Sequence, residues 1–289
     1  MGRDYRDSKK AKRITPKLRD RTVSVDGHSE RWLKRGFPWV YPKELTGRGK
    51  GIKPGTVVQI VNGQGQSLGT GIFDDGWIAV RRFRNTNGPV DKSLLQERIQ
   101  RAQALRDSLI EAETDAYRVV NGENDGLPGI RIDRYGAHFR ISLDSPCLMP
   151  LLDPLCDALE TCFDARGVYL AWRPDPRDKF TLDQAPRPAG LLRGHGHKGP
   201  LRVTERGIEC LVDLHGKISV GLFSDMRDNR AWLEPSWGGQ RVLNLFAHTG
   251  FFSVVAAMHG ASEVVSVDLS EPHSSWLART PEQSTPGTH

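Results

Sequence analysis

Hydrophobic spacing changes character several times along the chain. Residues 1–22 carry nine Lys or Arg and few apolar side chains, which predicts a disordered basic arm. From Val23 to about residue 90, short apolar runs at Thr56–Val61, Leu68–Phe73 and Trp77–Phe83 alternate with Gly and Pro turns. With Asn62-Gly63 as a hairpin-type turn, they predict a small all-β barrel. Within residues 91–113, Ser93–Ala112 keeps a three-four apolar spacing through Leu94, Leu95, Ile99, Ala102, Leu105, Leu109 and Ile110. It reads as an amphipathic connector helix with Ser93 and Gln96 as a capping box. Residues 114–215 mix strands near Arg118–Val120, Ile130–Asp133, His138–Leu143 and Val168–Pro174 with a helix over Leu148–Phe163, an α+β pattern. Asp183–Pro200, rich in Pro, Gly, Arg and His, reads as a mobile loop before a hairpin at Arg202–Leu214.

Residues 216–289 contain the most informative pattern, Arg241–Ser270. Val242, Leu243, Leu245 and Phe246 form an apolar run suited to a buried parallel strand. A turn at Thr249-Gly250 leads to an apolar helix over Phe252–Met258, capped by Gly260. Val264, Val265 and Val267 then make a second strand ending on Asp268. Strand, glycine turn, helix and strand with a terminal acid form the cofactor half of a doubly wound nucleotide-binding fold. The fold class is therefore mixed α/β: an N-terminal all-β barrel, an α+β middle domain and the start of a Rossmann-like sheet.

The turn bears on the cofactor. A dinucleotide brings a pyrophosphate, which the G-x-G-x-x-G turn cradles with backbone amides. Gly250 stands alone between Thr249 and Phe251, which suits S-adenosylmethionine (SAM), a cofactor with a ribose but no phosphate. A nicotinamide-linked oxidoreductase and a purely structural βαβ unit stay open at this point.

Gly221–Arg230 (GLFSDMRDNR), followed by Asn244–Ser253 (NLFAHTGFFS), resembles the signature of bacterial 23S ribosomal RNA methyltransferases with an N-terminal PUA domain. The best-known members of that family make 5-methylcytosine. The resemblance implies a SAM site formed by Phe223, Asp225, Arg227, Arg230, Asn244, Phe246, Thr249, Gly250, Phe252 and Asp268. Arg31–Leu45 is similar to the opening of the family's PUA domain. This implies an RNA surface in which Lys34, Arg35 and Lys43 meet phosphates and Trp39 or Tyr41 stacks on a base. The competing reading puts Trp39, Val40 and Tyr41 in the core. Phe251 stands where the family often has Gly or Ala, and its bulk is expected to crowd the cofactor. Asn121–Gly129 (NGENDGLPG) resembles an element of the family's middle domain. Glu123 and Asp125 within it read better as turn formers than as an acid-base pair.

Charge distribution adds an address. The net charge is +6, but residues 1–84 hold 19 Lys or Arg against 8 Asp or Glu, while the rest is net acidic. An extended polyanion such as ribosomal RNA would meet the N-terminal part first. No apolar run spans a bilayer and no secretory signal opens the sequence, so a cytoplasmic location is expected. Cys147, Cys156, Cys162 and Cys210 lack C-x-x-C spacing and read as reduced thiols. His195-Gly196-His197 has no further ligands around it in the sequence, so no metal site is expected.

A 5-methylcytosine enzyme of the resembled kind attacks cytosine C6 with a cysteine located after the fourth strand, and related aminomethylating enzymes carry a polar-Pro-Pro-aromatic loop there. Neither follows Asp268. Trp276-Leu277-Ala278 starts a helix that Pro281 and Pro286 break. The sequence alone therefore reads as a C-terminally truncated member with an incomplete sheet, no catalytic residue and no turnover of its own. A non-catalytic RNA-binding module or an inactive fragment is the alternative.

Overall fold

The computed structural model describes residues 21–47, 51–177, 180–216 and 219–270. Most of the expected basic arm and the expected helix start at Trp276-Leu277-Ala278 lie outside these residues. The arm also ends earlier than expected. Strand β1 (Thr22–Val25) already includes Thr22, which pairs in parallel with Gln59. After helix α1 (Gly27–Lys34) come β2 (Trp39–Val40), β3 (Leu45–Gly47), β4 (Val57–Val61), β5 (Ser67–Phe73) and β6 (Val80–Arg84). They form a six-stranded sheet in the order β2-β6-β5-β4-β1-β3, closed over Val23, Val25, Leu33, Val58, Ile60 and Val80. The β4–β5 connection is longer than a two-residue hairpin. Asn62 shapes it, its side-chain oxygen accepting from the amides of Gln64 and Gln66 at 3.0 and 2.9 Å.

Helix α2 (Lys92–Asp107) corrects three expectations. Its N-cap is Asp91 rather than Ser93, with Oδ1 accepting from the Leu94 amide at 3.1 Å. Its apolar face ends at Ala102, because Leu105 and Leu109 are 51% and 65% exposed. It is also more than a connector. Leu94, Leu95 and Ile99 are fully buried in one core with Val119, Ile132 and Leu155.

The second sheet contains β7 (Ala116–Asn121), β8 (Ile130–Tyr135), β9 (His138–Leu143), β10 (Gly167–Trp172) and β11 (Gly190–Gly194), in the order β11-β10-β9-β8-β7. Strands β9 and β10 are parallel and joined through α3 (Leu152–Cys162). That helix starts later than the expected Leu148, because Pro146–Leu151 forms a 3-10 turn. Pro154 is tolerated in the first turn of α3, where a backbone N–H has no intrahelical partner. The expected mobile loop at Asp183–Pro200 contains β11, whose backbone pairs with the otherwise open edge of β10.

A buried ion cluster fastens the barrel to this sheet. Arg81 on β6 is 1% exposed; its Nη1 donates to Asp74 Oδ2 at 2.5 Å and its Nη2 lies 3.2 Å from Asp144 Oδ1. Ser145 Oγ donates to the same Asp74 oxygen at 2.7 Å. Burial pushes the Asp144 carboxyl up, and the Arg81 guanidinium opposes that shift.

The remaining elements are the antiparallel hairpin β12 (Leu201–Glu205) and β13 (Ile208–Val212), helix α4 (Arg227–Leu233), and the unit β14 (Arg241–Leu245), α5 (Phe251–Met258) and β15 (Glu263–Val267). Strands β14 and β15 are parallel, in register from Arg241↔Glu263 to Leu245↔Val267. Helix α5 covers one face, packing Val254 and Val255 with Val242 and Val264. The other face is open among the described residues, with Leu243 62%, Leu245 55%, Val265 45% and Val267 49% exposed. The apolar run thus reads correctly as a parallel strand but is buried on one side only. No described helix is long and apolar enough to cross a membrane.

Candidate functional site

The turn between β14 and α5 is held in a conformation that L-residues resist. Phe246 and His248 have φ of 57° and 54°, and Gly250, at the start of α5, has φ of 76°. Gly250 adopts this region without strain, whereas each of the other two costs roughly 1–2 kcal/mol. Asp268 supports the turn: its Oδ2 accepts from the His248 amide at 2.8 Å and its Oδ1 from the Ser270 amide at 2.9 Å. The Ala247 amide donates to the Val267 carbonyl at 3.0 Å, which continues the β14–β15 ladder into the turn.

Thr249 is buried and its hydroxyl donates to the Gly221 carbonyl, joining the two sequence motifs in space. The Phe223 and His248 rings then lie 4.7 Å apart. Phe223, Phe246, Thr249, Gly250 and Asp268 therefore gather around one turn, with Phe246 87% exposed. Asn244 faces α5 instead. Its Nδ2 donates to Ser253 Oγ at 2.9 Å, and Ser253 meets Ser266 at 2.7 Å, which fixes the helix on both strands.

A half-buried carboxylate at the end of β15, beside a turn with one left-handed glycine, fits the hydroxyl donors of a ribose. The same turn has no second glycine at which a pyrophosphate could approach backbone. The donor set thus fits the adenosine end of SAM.

Arg230 is engaged within the protein. It is 2% exposed, as is Glu205 on β12; its Nε and Nη2 each donate to that carboxylate at 2.7 Å, and its Nη2 also donates to the Phe223 carbonyl at 2.9 Å. Its guanidinium lies over the Phe251 and Phe252 rings, 5.0 and 5.2 Å from their centroids. Arg230 and Phe252 hence support the site from behind. In a dry location a bidentate carboxylate is the partner a guanidinium requires. Phe251 does not crowd the turn, because it is 5% exposed and points into the core with Val254 and Trp237. Arg227 lies beside Asp228 at 3.0 Å and Glu111 at 4.0 Å. Asp225 is exposed and lines a cleft with Phe223.

Among the proposed RNA contacts, Lys34 pairs with Glu30 at 2.7 Å while staying largely exposed. Arg35 lies 5.6 Å over the Trp32 ring, and Lys43 is exposed. Trp39 is half-buried and its Nε1 donates to Glu123 Oε1 at 3.0 Å. It packs edge-on against Phe37, Tyr41 and Trp77, which favours the core reading of this side chain. Glu123 also accepts from the Gly129 amide at 3.0 Å, and Asp125 takes both terminal nitrogens of Arg106 at 2.8 Å. The two carboxylates shape a turn, as their sequence context implies.

Burial pushes the Cys210 thiol up to about 12 and Cys156 up to about 11; Cys147 and Cys162 are raised for the same reason. None of the four is poised as a thiolate. His197 packs against His138 with ring centroids 6.0 Å apart, and no metal-binding cluster occurs among the described residues.

The sequence gives no warning of a cleft of about 400 Å³ between the second sheet and the Val220–Asp225 segment. Arg118, Arg131, Arg140 and Arg173 line it. The alternation Arg131, Asp133, Tyr135 on β8 is the one signal that could have marked a polar sheet face there.

Comparison with known proteins places these features. Residues 23–85 match the family model of the PUA-like domain, and residues 183–280 match that of S-adenosylmethionine-dependent methyltransferases. The cofactor class agrees with the one implied by the lone glycine. Ribosomal RNA large subunit methyltransferase I of Shewanella amazonensis is 36% identical over 245 residues, covering 83% of this chain and 61% of that protein. The Salmonella arizonae protein of the same name is 33% identical over 249 residues, covering 84% and 60%. The chain thus spans about three fifths of the length of these curated relatives. A Streptococcus mutans structure, described as a SAM-dependent methyltransferase candidate, superposes with a TM-score of 0.76 at 24% identity, covering 91% of this chain and 67% of that one. That likeness concerns the fold.

Proposed function

From a chain that joins a PUA-like domain to residues of the SAM-dependent methyltransferase type, we propose a role in SAM-dependent methylation of large-subunit ribosomal RNA, at cytosine C5. The observation that carries this reading is the meeting of the two motifs at one turn, where the Thr249 hydroxyl bonds the Gly221 carbonyl and Asp268 supports His248. The finer assignment to cytosine C5 rests on the resemblance of Gly221–Arg230 and Asn244–Ser253 to the 5-methylcytosine enzymes.

In this reading Asp268 accepts from the ribose, Gly250 allows close approach to the turn, and Phe223 and Phe246 offer apolar walls. When bound, SAM supplies an electrophilic methyl group on a sulfonium centre. The basic barrel surface at Lys34, Arg35 and Lys43 holds RNA phosphates, and its grip weakens with salt. C5 chemistry of the resembled kind also needs a thiolate to add to C6. Burial raises the thiols at Cys147, Cys156, Cys162 and Cys210, so none of these four is offered as that nucleophile.

Ultraviolet crosslinking to a mixture of unmodified ribosomal RNAs tests the reading. The expected result is a preferred 23S segment that contains a cytosine methylated in the mature ribosome. Equal crosslinking to 16S and 23S RNA would overturn it.

A further inference from the structure

The arginine-lined cleft is not isolated. A second cavity of about 410 Å³ adjoins it, sharing Arg131 and Arg173 and bounded by Trp172, Pro174 and Pro176. At its far side the same loop carries Arg177, whose guanidinium lies 3.6 Å from the centroid of Trp77 in the barrel's aromatic cluster. Asp175 steadies Arg177 through a 2.7 Å ion pair. At the near end the first cavity reaches Phe223, next to the His248 turn. One continuous groove therefore leads from the barrel to the candidate cofactor site.

Four carboxylates, Asp133, Asp144, Asp175 and Asp225, line the groove with these arginines. Asp144 lies 3.2 Å from Arg81, Asp175 is taken by Arg177 at 2.7 Å, and Asp225 is exposed. Arg118 is matched by Asp133 at 2.8 Å, and Arg140 donates to the Gly216 carbonyl at 2.6 Å. Burial, with the Arg173 charge nearby, holds Arg140 below the usual arginine value. Arg131 is half-buried and Arg173 exposed, and their guanidinium groups make no hydrogen bond or ion pair among the described residues. With Asp133, Asp144 and Asp175 engaged by Arg118, Arg81 and Arg177, Asp225 is the one remaining carboxylate among the lining residues against Arg131, Arg140 and Arg173, and this excess of positive charge is stabilised by an anionic guest. The groove joins an aromatic cluster to a reaction site, so the guest of fitting shape is a polyanion with stackable bases.

We propose that this groove seats a single-stranded RNA segment, with Arg131 and Arg173 on its phosphates and the adjacent base delivered to Phe223. The proposal rests on the RNA methylation reading above and specifies the path by which RNA reaches the cofactor turn.

The test is fluorescence anisotropy of a short labelled single-stranded RNA with the full chain across a salt series. The double variant Arg131→Gln/Arg173→Gln is compared with the exposed hairpin control Arg202→Gln. Two lost phosphate contacts lower the slope of log affinity against log salt by about 1.4 and weaken binding on the order of tenfold at 0.1 M salt. The control keeps the parent slope. The thermal midpoint of the double variant stays within a few degrees of the parent, since neither guanidinium makes a hydrogen bond or ion pair among the described residues. If the double variant keeps the parent slope while Lys34→Gln/Arg35→Gln/Lys43→Gln loses affinity, the groove proposal falls and the RNA reading stands. If the double variant loses SAM affinity and keeps RNA affinity, the groove holds the cofactor and the proposal is overturned. A parent chain that binds no RNA overturns both.

Discussion

Replacing Arg230 separates a supporting role from a cofactor contact. Arg230→Met removes a guanidinium that donates twice to Glu205 at 2.7 Å, with both side chains 2% exposed. The Glu205 carboxylate is then left in a dry site beneath Phe251 without a counter-charge. Removing one member of such a pair costs about 3–5 kcal/mol, whereas replacing both by apolar groups of similar volume is often close to neutral. Glu205→Leu alone strands the guanidinium and is expected to cost as much. The double variant Arg230→Met/Glu205→Leu is expected to regain most of that loss. Urea denaturation followed by circular dichroism measures all four proteins, and SAM titration of each at low denaturant gives the second readout. Either single variant within about 1 kcal/mol of the parent would refute the reasoning. So would an Arg230→Met protein of parental stability that has lost SAM affinity, since that outcome returns Arg230 to the cofactor.

Other expectations follow from the same geometry. Arg81→Met leaves Asp74 and Asp144 facing each other in a buried site, so a destabilisation of about 3–5 kcal/mol is expected by urea titration, eased by adding Asp144→Asn. His138 is held below its usual value near 6.5, chiefly by burial and then by His197. The unfolded chain therefore takes up this proton more readily, so stability is complete above the unfolded value and declines as pH falls through it toward the lower folded value. Melting curves between pH 7.5 and 5 should show that decline, and His138→Phe should flatten it. On the open sheet face, Leu245→Glu with Val265→Lys should reduce self-association in size-exclusion chromatography and leave the melting midpoint unchanged, because both side chains are already about half exposed. In the native protein Cys210 and Cys147 should react with a thiol reagent only on the unfolding timescale, whereas rapid labelling at pH 8 would contradict their burial.

What the sequence made legible was local. The β14–α5–β15 unit could be read residue by residue, because its turn, helix and acid are contiguous and each follows from nearest-neighbour chemistry. Three of the six barrel strands, β4, β5 and β6, were legible for the same reason. Long-range pairs were not. Glu205 and Arg230 are 25 residues apart, and Trp39 and Glu123 are 84 apart, so nothing in the local pattern announces either contact. Strand β11 was hidden in a stretch of turn-forming residues because its conformation is imposed by the unpaired edge of β10. The start of α3 depended on where two prolines could be accommodated. At the site itself, the two motifs meet at one turn, and their side chains divide between internal partners and open positions. Asn244, Arg230 and Phe252 hold the turn in place, while Phe223, Gly250 and Asp268 surround it.

The central claim is that the turn at Thr249-Gly250, with Asp268, receives SAM rather than a dinucleotide. Calorimetric titration of the full chain with SAM, in parallel with NAD, tests it most directly. Saturable heat with SAM, none with NAD, and a clear loss of SAM affinity in Asp268→Asn are the predicted results. Binding of NAD at equal or higher affinity, or SAM binding indifferent to Asp268→Asn, would contradict the account.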